Sequence, residues 1–136
     1  MEDNGLLLEE YLTTALQSID GLHERVCPVI DIQHSTGPIV VYEQQDESEE
    51  NLIDGASGLC AAVFKIHVLH GTYEKMRLLA EWVKTTVRNL RQSKFGKLHI
   101  EEATVKLASP DLYESRVQQF RRTYQVTIQY QIKEDT

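Results

Sequence analysis

Five histidines, two cysteines and a trio of arginines are the side chains best placed to do chemistry, and their spacing limits what they can do. His23, His34, His67, His70 and His99 include no pair at the i, i+4 spacing of a helical zinc site. His67 and His70 stand three apart in a β-like stretch, on opposite faces, so they do not converge on one ion. Cys60 could pair with His67 or His70 as thiol and imidazole. All three fall on one strand, with no glycine loop to hold an oxyanion, so nucleophilic catalysis has no support. Cys27 and Cys60 read as buried free thiols of a reducing compartment. The expectation is a protein that is not an enzyme, with no catalytic residue, no cofactor and no metal.

Two charged clusters remain. Asp46, Glu47, Glu49, Glu50 and Asp54 crowd residues 46–58, which also hold Gly55, Ser57 and Gly58. Such a stretch reads as a mobile surface loop or hairpin tip, with a docking or repulsive role as the functional alternative. Arg116, Arg121 and Arg122 form the basic cluster. Arg122 has the parity of a buried face, so it must pair with an acid or lie beyond the core. Arg is common both in salt bridges and in subunit contacts, so the trio fits either.

The element that must position these groups is the strand at 120–132. Tyr124, Val126, Ile128, Tyr130 and Ile132 alternate with Thr123, Gln125, Thr127, Gln129 and Gln131. Strand side chains alternate faces, so the even set is buried and the odd set is a polar, uncharged surface. Gln125, Thr127 and Gln129 are therefore candidate contacts with a neighbour. The cover for the even face is a helix over 72–94. Its apolar stripe is Tyr73, Met76, Leu79, Ala80, Val83, Val87 and Leu90, widened by Leu78 and Trp82 so that it meets two surfaces. Thr72 is its N-cap and Gly96 its stop.

Earlier in the chain, Leu7, Leu8, Tyr11, Leu12, Ala15, Leu16 and Ile19 give a first helix over 6–19, capped by Asp3 or Asn4 and stopped at Asp20-Gly21. Strands follow at 25–32, with Pro28 marking an edge, and from Ile39 to Gln45. His34 to Gly37 form a turn. Ala62, Phe64, Ile66 and Val68 define a strand over 59–69. The apolar phase over 97–107 shifts from even to odd, which a bulge at Glu101-Glu102 explains. Ser109-Pro110-Asp111 is a turn, and 111–122 is left between loop and strand. Clustered strands with two helices predict a single α+β domain spanning 1–136, with an antiparallel or mixed sheet and both helices on one face, in the order α-β-β-β-α-β-β.

The chain has 136 residues, 41% of them hydrophobic and 26% charged, which suits one domain with its own core. The Met1-Glu2-Asp3-Asn4 start is acidic where a secretory signal needs a basic one. No apolar run approaches the ~18 residues of a membrane span.

The segments 25–28 (Arg-Val-Cys-Pro) and 37–42 (Gly-Pro-Ile-Val-Val-Tyr) resemble the start of the phage tail-terminator and tail-completion family, which includes the minor tail protein U type and related head–tail joining proteins. Phe64-Lys65-Ile66-His67-Val68 resembles that family's alternating strand. Thr72-Tyr73-Glu74 and Leu79-Ala80-Glu81-Trp82-Val83 resemble its helix, and the stretch from Tyr124 to Tyr130 its closing strand. The likeness runs from about Leu6 to Ile132; the acidic stretch and the long last strand depart from the pattern. It implies a structural virion protein of the tail or neck, assembled in the host cytoplasm. Its subunits would form a hexameric ring that caps the tail tube and joins the head connector, with DNA passing through the lumen. Its partners would be itself, the tube protein and the connector. The alternative class is a stand-alone α+β domain that binds a small molecule or peptide, against which stands the lack of a Gly-rich anion loop.

The formal net charge is −7. Affinity for duplex DNA comes mainly from cations that displace counterions from phosphates. The chain should therefore show no tight duplex binding in a gel-shift assay at physiological salt, and a strong shift would contradict this.

Overall fold

A computed structural model describes residues 4–19, 22, 25–28, 38–50 and 59–132. The elements are α1 (Asn4–Gln17), β1 (Val26–Pro28), β2 (Ile39–Glu50), β3 (Leu59–His70), α2 (Tyr73–Arg88), β4 (Lys94–Phe95), β5 (Leu98–Leu107), β6 (Leu112–Glu114) and β7 (Gln119–Ile132). The described strands form one sheet in the order β1-β2-β3-β7-β5-β4, with β6 alongside the start of β7. β1 runs parallel to β2 and every other pairing is antiparallel. This is the expected single α+β domain with a mixed sheet, the expected order extended by the short strands β4 and β6.

Alternation carries through the three long central strands. Ala62, Phe64, Ile66 and Val68 of β3 are buried, as are Tyr124, Val126, Ile128 and Tyr130 of β7. They are paired in register, Phe64 with Val126 and Ala62 with Ile128. β5 joins the same face only because it slips one residue between Ile100 and Glu102, the bulge its change of phase predicts. Leu98, Ile100 and Ala103 are thereby all buried.

Both helices cover this face. α2 sends in Met76, Leu79, Ala80, Val83 and Val87, and α1 sends in Leu8, Leu12 and Leu16. The Thr72 hydroxyl accepts from the Lys75 N–H at 3.2 Å, the expected N-cap. α1 is tied down by Thr13, which donates to the Tyr42 hydroxyl at 2.9 Å. Tyr11 stacks on Phe95 at 4.8 Å and donates to Ser93 Oγ at 2.8 Å.

Several expectations are corrected. α2 ends at Arg88 with Asn89 as its cap, not near 94. Gln92 takes φ 59°, and Lys94 then enters a two-residue strand. Gly96, at φ 61°, shapes the turn into β5 and does not stop the helix. Leu78 and Trp82 are not buried against a second surface among the described residues: they are 59% and 53% exposed. Residues 46–50 are strand, not loop: β2 continues to Glu50, paired with β3 as far back as Leu59, after a bulge at Gln45. Backbone pairing with β3 outweighs the poor strand preference of acids. Asp54 and the rest of 51–58, the turn at His34 to Gly37 and the stop at Asp20-Gly21 lie outside the described residues. Residues 112–121 form a β6–β7 hairpin where loop and strand were both open. Cys60 is buried as expected, but Cys27 only partly.

Ile128 is wholly buried between Ala62 and Ala103. Ile128→Ala should cost about 2–5 kcal/mol, the range for a large-to-small change in a core. Urea unfolding measures it; a loss under about 0.5 kcal/mol would show that the face is not packed.

Candidate functional site

Among the described residues, no helix packs on the other side of the sheet. Its rows cross several strands: Glu43, Lys65, Gln125 and Lys106; then Val63, Thr127 and Thr104; then Ala61, Gln129 and Glu102. Gln125, Thr127 and Gln129 are half-buried, and no described helix lies over them. Along β7 this surface offers amide and hydroxyl groups without charge. At one end it turns apolar, where Ile39, Val41 and Leu69 are buried, with Cys27 and Val117 packed beside them.

A three-residue chain on this face escaped the sequence reading. His67 lies 2.9 Å from Thr123 Oγ1 through Nδ1 and 3.0 Å from Glu43 Oε1 through Nε2. With the Nε2 proton directed at Glu43, Nδ1 accepts from the Thr123 hydroxyl. The order carboxylate, imidazole, hydroxyl has the connectivity of a nucleophile relay. Thr123, however, is only 5% exposed, so its oxygen cannot meet a substrate carbonyl as folded. The chain instead pins β2, β3 and β7 together through side chains. The signal available in the sequence was parity alone: Glu43, His67 and Thr123 are all odd, but the partner strands could not be aligned without the register.

The arginine trio separates. Arg122 donates to Asp111 through Nε and an Nη, each at 2.9 Å, with the two side chains 13% and 16% exposed. Tyr73 donates to the same carboxylate at 2.9 Å. Arg121 pairs with Glu114 at 2.9 Å across the β6–β7 hairpin. Both cations are thus committed inside the chain; by register Arg121 shares the face of Gln125, Thr127 and Gln129, whereas Arg122 lies on the opposite face. Arg116 alone of the three is exposed, in the hairpin turn. Of the acidic candidates, Asp46, Glu47, Glu49 and Glu50 occupy the far end of β2.

Around Asp111 lies an aromatic group. Tyr73 and Tyr113 both meet Phe120 edge-to-face, at 5.7 and 4.9 Å, and Arg77 sits 5.9 Å from the Tyr73 ring centroid. Elsewhere, Leu22, Pro38, His70, Lys75, Leu78, Leu79 and Trp82 line a shallow groove of about 240 Å³. Burial, and then the charge of Lys75, hold the His70 imidazole below its ordinary pKa.

No helix among the described residues is long and apolar enough to cross a membrane. Compared with known proteins, the sequence matches no family model and no curated protein.

The Arg122 hydrogen bonds, opposed in part by burial and helped by Tyr73, hold Asp111 below the usual carboxylate range. A lowered folded-state pKa gives stability that is complete above the unfolded value of about 4 and is lost as pH falls through the folded value. Asp111→Asn should remove that acid-side dependence and cost about 1–3 kcal/mol at neutral pH. Melting curves between about pH 2 and 7 test this. Parallel acid limbs in the two proteins would contradict it.

Proposed function

We propose that this chain is a ring-forming structural subunit of a phage tail, of the tail-terminator or tail-completion type. The observation that carries the reading is the polar β7 face, where Gln125, Thr127 and Gln129 have no described helix over them on a sheet whose other side holds the core. A polar stripe along β7, flanked by charges of both signs on the neighbouring strands, suits docking against a neighbouring subunit or a tube, since its amides and hydroxyls can exchange water for partner hydrogen bonds at low net cost. The resemblance of segments 25–28, 37–42, 64–68 and 79–83 supplies the ring, its place on the tail and its partners: the tube protein and the head connector. Termination then works by matching surfaces, one ring face on the last tube ring and the other toward the connector, with DNA threading the lumen and assembly in the host cytoplasm.

The second reading is a stand-alone binding domain for a small molecule or peptide. The groove beside Trp82 favours it, but its volume of about 240 Å³ falls below the roughly 300–1,000 Å³ of most ligand sites.

Thr127→Glu separates the two. As a change on the polar β7 face it should alter stability by no more than about 0.5 kcal/mol. A charge buried unpaired against a neighbour is strongly unfavourable, so ring formation and tail completion should be lost. Thermal melting with light scattering reads the first half, and electron microscopy of tails reads the second. Unchanged assembly by a folded variant would remove the β7 face from the interface.

A further inference from the structure

β5 has an outer edge that no described strand flanks between Glu101 and Leu107. β4 pairs only with Leu98 and His99, and the Ser93 carbonyl accepts from the Ile100 N–H at 2.9 Å. The ladder with β7 tells which backbone groups point outward beyond that. The Ala108 N–H donates to the Thr123 carbonyl at 2.9 Å, so the even positions after the bulge, Thr104 and Lys106, turn their N–H and C=O toward β7. Ala103, Val105 and Leu107 turn theirs away from it. The Ala103 N–H accordingly meets Glu102 Oε1, at 3.3 Å, where a strand partner would otherwise stand.

Such a row of backbone groups is a template for another strand, and the side chains decide which strand fits. Thr104 and Lys106 are exposed, and a lysine on an edge discourages indiscriminate pairing. A second β5 running antiparallel answers it. Outward residues must face outward residues, so the register can move only in steps of two. With Thr104 opposite Thr104, Ala103 meets Val105 and Glu102 meets Lys106, each twice. Sliding the partner one step either way sets Lys106 opposite Thr104 or Ile100, and the ion pairs are lost. The faces agree as well. Glu102, Thr104 and Lys106 share the face of Gln129, Thr127 and Gln125, whereas Ala103 and Val105 lie with Ile128 and Val126 on the core side. Glu102 is free to turn to a lysine across the axis. Its Oε2 meets Arg91 at 3.2 Å, but the two side chains are 39% and 58% exposed, and surface pairs of this kind contribute little.

We infer that the occupant of the β5 edge is a second copy of this chain, paired through its own β5 about a two-fold axis at Thr104. Backbone hydrogen bonds between Ala103 of one copy and Val105 of the other close the contact, and Glu102 pairs with Lys106 on either side of the axis. The contact is isologous, so it ends at two copies. It joins the two sheets edge to edge and leaves Gln125, Thr127 and Gln129 of both copies on one side. The inference goes beyond the ring reading and does not rest on it.

Charge exchange tests it in the full chain. Glu102→Lys sets lysine against lysine across the axis, and Lys106→Glu sets glutamate against glutamate. Each single variant should melt like the wild type and dimerise about a hundred-fold more weakly in sedimentation equilibrium, because like charges then face each other. The double variant restores both pairs and should dimerise as the wild type does. Loss of the Glu102–Arg91 pair alone would not be rescued by Lys106→Glu. Thr104→Cys places two thiols on the axis, with Cα atoms about 4.5 Å apart, within reach of a disulfide. It should therefore cross-link on mild oxidation beyond the wild-type background, while Lys106→Cys should not. A wild type that stays monomeric at high concentration overturns the contact. So do single variants that dimerise as well as the wild type, or a double variant as weak as the singles. Rings and tail completion are read separately through Thr127→Glu, so loss of either reading leaves the other standing.

Discussion

On the side facing the helices, every row of the central sheet is apolar across three strands. Cys60, Tyr130 and Ile100 form one row, Ala62, Ile128 and Ala103 the next, and Phe64, Val126 and Val105 the third. A slip of one residue in β7 would turn Tyr124, Val126, Ile128 and Tyr130 to solvent and bring Gln and Thr under the helices. The cost of that exchange fixes the register, and the register fixes everything on the other face. The small side chains in the middle row leave room for α2, whose own contact includes the fully buried Ala80. The polar face is thus a by-product of the core: residues reach it because the core refuses them.

Arg122 shows where that rule ends. It stands in register with the buried Val68, so by parity it belongs under the helices. It is tolerated because Asp111 answers it with both carboxylate oxygens and Tyr73 completes the shell. The same contacts stitch the chain just after β5 to the first residue of α2. One misplaced charge therefore becomes the clasp that closes this end of the domain. The aromatic group builds outward from it.

Most of the fold was legible because it rests on period. β3, β5 and β7 have alternation strong enough to locate them, and the phase change at Glu101-Glu102 announced a bulge that is there. The Thr72 cap was legible from chemistry alone. Composition misled at residues 46–50: five residues, four of them acidic, look solvated, but a neighbouring strand supplied the hydrogen bonds that the side chains do not encourage. Gly96 misled because a glycine that ends a helix and one that turns a hairpin look alike. The His67 chain and the pairs of Arg121 and Arg122 depend on which strands lie side by side, and no local pattern encodes that. Parity did show that Arg122 needed an acid; it could not say which.

The order of the strands in space sets an order in time. β7 lies between β3 and β5, yet follows both along the chain. While the ribosome is still adding residues 119–132, neither β3 nor β5 has its central partner, and their inward rows stay wet. The closing step joins residues far apart in sequence, Leu59 with Gln131 among them. Loop closure must be met before those contacts return anything, which slows folding. A chain that has not yet docked β7 thus offers β3 as an unfilled template for pairing with another chain.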